Sequence, residues 1–199
     1  MKKISAIVAG LVIASSSLSA MDIQYFLGAG AERVKMNSKW SDSTDSETTN
    51  LYDTTVKIKT GIILDKAHRI SLSYSKPSET VSYSEPGYSE NSKFSVTQVL
   101  ANYDYLYGIT DDFRVGGGAH LGLSKFENKG SASDGESWKL SDTGFAYGVQ
   151  LAAIYDITKN VEFELGLSHT RHTAKIKVDD ETDKLKYSTS GYAGINFKF

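Results

Sequence analysis

Glu162 and Glu164 stand two residues apart, a spacing that on a strand puts both carboxylates on one face, as a general acid and base would require. The same spacing supplies two partners for buried cations, and we favour that reading wherever arginines share the face. Just beyond, Ser168-His169-Thr170-Arg171-His172 brings a hydroxyl near two imidazoles, the ingredients of nucleophilic catalysis. On a strand, however, Ser168 and His172 point one way and His169 the other, so the serine and its nearest histidine are separated by the sheet. No matching acid is evident, and a polar structural position is the simpler role. His68, in a turn, and His120, among glycines, are isolated, and no metal-ligand spacing occurs. The acidic runs Asp42 to Glu47 and Asp179 to Glu181 lack the alternating ligands and glycine of a calcium loop. Gly116-Gly117-Gly118 precedes no helix and so makes no phosphate cradle. With cysteine absent, thiol nucleophiles, disulfides and a lipidated cysteine are excluded. We therefore assign no catalytic, cofactor-binding or metal-ligating residue and expect no cofactor.

The elements that carry these residues are preceded by a segment of a different kind. Met1-Lys2-Lys3, an apolar run from Ile4 to Ala14 and a small-residue end at Ala20 describe a secretory signal peptide. The apolar run is too short to cross a bilayer as a helix. We expect residues 1–20 to be removed and residues 21–199 to form one domain. Loss of Lys2 and Lys3 leaves 20 basic against 24 acidic residues, a net −4. That balance and the lack of a basic patch speak against nucleic acid. A mean hydropathy of −0.31 decides nothing about membranes if only one face of each strand meets lipid.

From residue 23 to the end, apolar and polar residues alternate with period two, which predicts strands. Eight are read: from Ile23 to Glu32, Val56 to Leu64, Arg69 to Tyr74, Thr97 to Tyr107, Phe113 to Ser124, Phe145 to Tyr155, Val161 to Ser168, and Leu185 to Phe199. Polar stretches at 37–50, 76–93, 127–141 and 173–184 read as long loops, the second holding both prolines, Pro77 and Pro86. Short turns at 65–67, 108–112 and 156–160 separate the other pairs, so long and short connections alternate strictly. Two of the short turns repeat, Tyr107-Gly108-Ile109-Thr110 and Tyr155-Asp156-Ile157-Thr158. The last strand ends in aromatics, with Ile195, Phe197 and Phe199 on one face. This arrangement resembles the small single-domain outer-membrane barrel family, the OmpA/OmpX-like group. The resemblance implies an all-β fold, an eight-stranded antiparallel up-and-down transmembrane β-barrel in a Gram-negative outer membrane. It also implies that Phe199, Phe197 and Ile195 form the signal read by the barrel-assembly machinery.

A soluble calyx, lipocalin-like, would show the same alternation with its apolar face inward. Three features place that face outward. Glycines crowd the opposite face, as a narrow lumen requires. Tyrosines and phenylalanines collect at both strand ends, as the two interfaces of a bilayer select. The longer strands, roughly 11–15 residues, reach or exceed the ~9–11 that cross a membrane. The inward face then holds Arg69, Arg114 and Lys198 against Asp104, Glu162 and Glu164, which we read as a mutually neutralising structural network. Trp40 and Trp138, expected at two loop tips, are candidate contacts for a host or surface partner or for lipopolysaccharide. The function expected is a non-enzymatic surface protein with a structural or adhesion-type role. A narrow porin-like channel or apolar-molecule conduit is the alternative. A lipid A-modifying enzyme, suggested by a likeness of Ser168 and its histidines to the outer-membrane lipid A esterases, stands third.

Overall fold

The computed structural model describes residues 22–41, 45–178 and 181–199. The expected signal peptide therefore lies outside the described residues. Ten strands follow one another: β1 (Ile23–Ser41), β2 (Ser46–Leu64), β3 (His68–Ser75), β4 (Ser78–Glu85), β5 (Tyr88–Gly108), β6 (Phe113–Ala132), β7 (Ser137–Thr158), β8 (Val161–His172), β9 (Lys175–Val178) and β10 (Glu181–Lys198). All pairings are antiparallel, and β10 pairs with β1, so the sheet closes on itself. Because β4 continues β3 and β9 continues β8, the closed ring has eight staves. The last residue takes part in the closure. Tyr25 and Phe199 exchange both backbone hydrogen bonds at 3.0 Å, and their rings stack at 6.2 Å.

The short turns are built by identifiable chemistry. Asp65 and Lys66 both take positive φ, 48° and 59°, as a two-residue hairpin turn with the hand of the strands demands. In the two Ile-Thr turns the threonine hydroxyl accepts a backbone N–H three residues on: Thr110 from Phe113 at 3.0 Å and Thr158 from Val161 at 3.1 Å. The repeat seen in the sequence is thus a repeated side-chain staple.

The expected long loops are largely absent. The strands run on through most of them, so β1 and β2 reach 19 residues each, β5 21 and β7 22. Residues 78–85 and 88–95 form a hairpin around Pro86-Gly87, and 113–132 pairs with 137–158 around a four-residue turn. The physical reason is a change of face. Along β1 the outward residues Tyr25, Leu27, Ala29 and Ala31 are apolar, but beyond Arg33 it is the inward Val34 and Met36 that are apolar. Phe94 and Val96 on β5, Phe126 on β6, Leu140 on β7 and Ile176 on β9 repeat the exchange. The barrel therefore has a membrane storey, apolar outside, and an outer storey, apolar inside.

Val34, Met36, Leu51, Val96, Phe126, Ala174, Ile176 and Leu185 form the core of the outer storey, with Phe94 and Leu140 packed on it. Burying each larger side chain contributes roughly 1.5–3 kcal/mol. An extra residue at Lys186 bulges β10, so Asn37 faces Tyr187 but Ser38 faces Leu185. The bulge turns Leu185 inward to complete that core. The wall is seamed where β3 and β8 break. At the first seam Pro77, which has no N–H, separates β3 from β4, and Asp53 accepts the Ser78 N–H at 2.7 Å while Glu79 accepts the Tyr52 N–H. At the second, Asp142 accepts the Lys175 N–H at 2.8 Å. Carboxylates thus caulk the gaps left in the ladder.

Leu151 is 64% exposed in the middle of the apolar outer band of β7. Replacing it with Arg should cost about 2–4 kcal/mol in guanidinium unfolding from phospholipid vesicles. Thr143→Arg, on the same face but in the outer storey, should cost under about 1 kcal/mol.

Candidate functional site: the lumen and its outer mouth

Inside the membrane storey the inward positions of the staves converge on three rungs of charge. Nearest the short turns, Arg114 donates to Glu162 at 2.7 Å and to Asp156 at 2.9 Å. Lys198 joins the same pair, 2.5 Å from Asp156 and 3.6 Å from Glu162. One rung up, the Arg69 guanidinium donates to Asp104 at 3.0 Å and to both oxygens of Glu164 at 3.0 and 3.1 Å. Glu164 also accepts from Lys59 at 2.6 Å, and Asp104 from Gln150 at 2.6 Å. Asn196 ties the two rungs by donating to Glu162 at 2.8 Å and to Glu164 at 2.9 Å. Above them Lys57 meets Glu32 at 2.8 Å, a carboxylate that also accepts from Ser190 at 2.8 Å.

Lys57 and Lys59, both on the inward face of β2, lie 5.8 and 5.4 Å from the centre of the Tyr192 ring of β10. A Cβ at Gly194 would come within 2.1 Å of the Tyr192 hydroxyl, so only glycine lets that ring lie there. Five cations (Lys57, Lys59, Arg69, Arg114, Lys198) thus face five carboxylates (Glu32, Asp104, Asp156, Glu162, Glu164). The set is self-neutralising, as charges held away from water must be.

All six lumen residues named from the sequence fall in these rungs. Lys57, Lys59, Glu32 and Asp156 were not named with them. The first three lie on strands whose inward face was already clear, but nothing in the sequence sets their height relative to Arg69. Asp156 sits at an irregularity of β7 that the reading as a turn concealed. Glu162 and Glu164, considered as an acid and base, both hold cations and leave no free carboxylate.

The serine and histidine residues fill the next level. His172 hydrogen-bonds Ser124 and Ser188, both at 3.0 Å, and His120 meets Thr170 at 2.9 Å. Ser168 pairs with Ser190 at 2.8 Å, while His169 faces outward against Thr189 at 3.0 Å. Both nitrogens of the His172 ring are thus taken by serine hydroxyls, and neither meets a carboxylate among the described residues.

Above the core of the outer storey the barrel opens into a vestibule of about 460 Å³. Trp40 and Trp138 are found here and not at loop tips. Each lies on a strand, opposite Glu47 and Gly130 respectively, and each lines the vestibule from within. A Cβ on Gly130 would lie 2.0 Å from the Trp138 ring, so the glycine lets the indole lie flat across β6. The signal that would have found both is the parity of the strand once its polar part is recognised as strand.

A closed ring of eight staves, a charged lumen and a lipid-facing outer band now permit comparison with known proteins. The sequence profile of the family described as "Outer membrane protein beta-barrel domain" matches residues 7–199. The chain belongs to this family. It is accordingly a protein of the outer membrane, surrounded by that membrane's lipid and lipopolysaccharide. No curated protein matches its sequence. Among solved members of similar fold, OprG of Pseudomonas aeruginosa is 15% identical, with a TM-score of 0.60 over 88% of this chain and 95% of that one. Neisserial surface protein A is 20% identical, with a TM-score of 0.55 over 88% of this chain and 97% of its own. Ail of Yersinia pestis, solved with the heparin analogue sucrose octasulfate, is 16% identical, with a TM-score of 0.54 over 89% and 99%. At these identities the likeness is one of fold.

Removing one partner strands the others in the lumen. Arg69→Met should therefore cost about 3–5 kcal/mol in vesicle-based unfolding, and adding Asp104→Asn should recover part of that loss. Arg114→Met should likewise lower the temperature at which the barrel loses its heat-modifiable gel migration.

Proposed function

We propose that this barrel is a non-enzymatic surface protein whose lumen network is structural and whose outer storey is the working part. The observation that carries the reading is the stopper: a buried apolar core that includes Val34, Phe126 and Leu185 lies across the barrel above the neutralised rungs. A polar path for ions or a greasy path for apolar solutes would have to cross both layers. Planar-bilayer recording of the refolded protein should accordingly give no steady single-channel conductance. Regular unitary steps would replace this reading with the narrow-channel alternative.

The outer wall of the upper storey supports a role toward anionic saccharides. Arg33, Lys35, Arg171, Lys175, Lys177, Lys184 and Lys186 are exposed on β1, β8, β9 and β10, directly above the apolar band. None of them makes an ion pair among the described residues. On β6, by contrast, Lys129 and Lys125 flank Glu127, and their hydrogen bonds hold its carboxyl down to about 2. In this proposal the collar, directly above the apolar band, meets the phosphates of lipopolysaccharide in the outer leaflet. Each basic side chain there contributes about 1 kcal/mol of attraction. The heparin analogue bound by Ail is likewise polyanionic, which extends the reading to host polysaccharides as adhesion partners. Phe199, Phe197 and Ile195, aligned on the outer face of the closing strand, serve as the assembly signal in this proposal.

Adding lipopolysaccharide to the detergent-refolded barrel should raise its unfolding temperature. The variant Arg33→Gln/Lys35→Gln/Arg171→Gln/Lys186→Gln should keep its fold and lose most of that gain. An undiminished gain would remove the collar from the account.

A further inference from the structure

The vestibule differs from the wall that encloses it in the sign of its charge. Among the described residues its charged lining groups are Glu90, Glu181 and Asp183, and no basic side chain lines it. The other lining groups that matter are Trp40, Trp138 and Phe94, set over the apolar core. We propose that this vestibule binds a small organic cation with an apolar body, an alkyl- or arylammonium ion.

Charge and shape both favour that class. None of the three carboxylates has a cationic partner among the described residues. Glu181 accepts the Trp40 indole N–H at 3.3 Å. Asp183 accepts the Ser38 hydroxyl, and Glu90 accepts the Ser92 and Tyr88 hydroxyls at 3.0 and 3.3 Å. Neutral donors do not cancel the charge of a carboxylate as a cation would. Indole faces attract a desolvated cation in addition, most strongly for Trp among the aromatics. The apolar floor rewards a ligand with hydrocarbon attached to its charge, and the volume lies in the range of small-molecule pockets. A bare metal ion fits less well, since no group of three acidic or imidazole side chains among the described residues converges closely enough to chelate one. The nearby bases Lys39, Lys177 and Lys184 stand on the other face of the same strands and leave the cavity to the acids.

The protein supplies its own reporter, because its two tryptophans both line the vestibule. The full mature barrel should be folded in a maltoside detergent, which carries no ammonium group, and its emission followed on titration. Benzyltrimethylammonium should give a saturable change. Benzyl alcohol, the uncharged counterpart, and benzenesulfonate should give only the linear response seen with free N-acetyltryptophanamide in the same micelles. Glu181→Gln/Asp183→Asn, checked for heat-modifiable migration, should weaken the ammonium affinity at least tenfold, and Glu90→Gln alone should weaken it less. Equal saturation by benzyl alcohol would make the vestibule merely apolar and overturn the proposal. So would the absence of saturation by the ammonium ion, a readout on the native sequence that stands even if the double variant fails to fold.

Discussion

Inside a bilayer no water is present to satisfy a backbone N–H or C=O, so a strand there must have a neighbour on both sides. For this chain the requirement is met by the pairing of β1 with β10, which runs from Phe26 opposite Lys198 to Ser41 opposite Thr182. Everything else in the membrane storey follows from that closure. A ring of eight staves encloses a space only as wide as a few side chains, so inward residues from opposite walls must touch. Arg69 on β3 reaches Glu164 on β8 for this reason, across a sequence separation of 95. Any charge in such a space has to find its complement within the ring. The carboxamide of Asn196, shared between Glu162 and Glu164, indicates how few groups are left to spare.

The outer storey keeps the ladder and reverses the chemistry. Period two continues unbroken along β1, yet the face that is apolar changes between Ala31 and Val34. Lipid outside requires apolar outward residues, and water outside requires apolar inward ones. The exchange of faces therefore marks the height at which the surroundings of the wall change from hydrocarbon to water. Arg33 on β1, Lys125 on β6 and Arg171 on β8 are the outward residues at that height. One continuous hydrogen-bonded sheet thus runs through two solvents, and its stability above the membrane comes from an ordinary hydrophobic core.

This reversal explains what could be read from the sequence and what could not. The membrane staves were legible because long runs such as Phe113, Val115, Ala119, Leu121 and Leu123 keep one phase. Parity then sent Asp104, Glu162 and Arg114 inward without any knowledge of their partners. The upper strands were not legible, because Ser, Thr, Asn and charged residues dominate them and their few apolar members sit in the opposite phase. Residues 76–93 look like loop by composition. Only the ladder from Ser78–Ser95 to Glu85–Tyr88 makes them a hairpin, and Phe94 is what anchors it to the core. The tryptophans were misplaced for the same cause: a residue thought to lie in a loop has no assigned face.

A wall one sheet thick also sorts charge. In sequence, Thr182-Asp183-Lys184 reads as an undifferentiated polar run, but on β10 Asp183 points into the vestibule and Lys184 points out of the barrel. Trp40 and Lys39 on β1 divide in the same way. Neighbours of opposite sign on one strand are held apart by the pleat and cannot quench each other as they would on a flexible loop. The extension of the strands beyond the bilayer therefore does more than lengthen the barrel. It gives an almost neutral polypeptide a basic outer wall on β1 and β8 to β10 and acidic side chains on the inner face of the same storey.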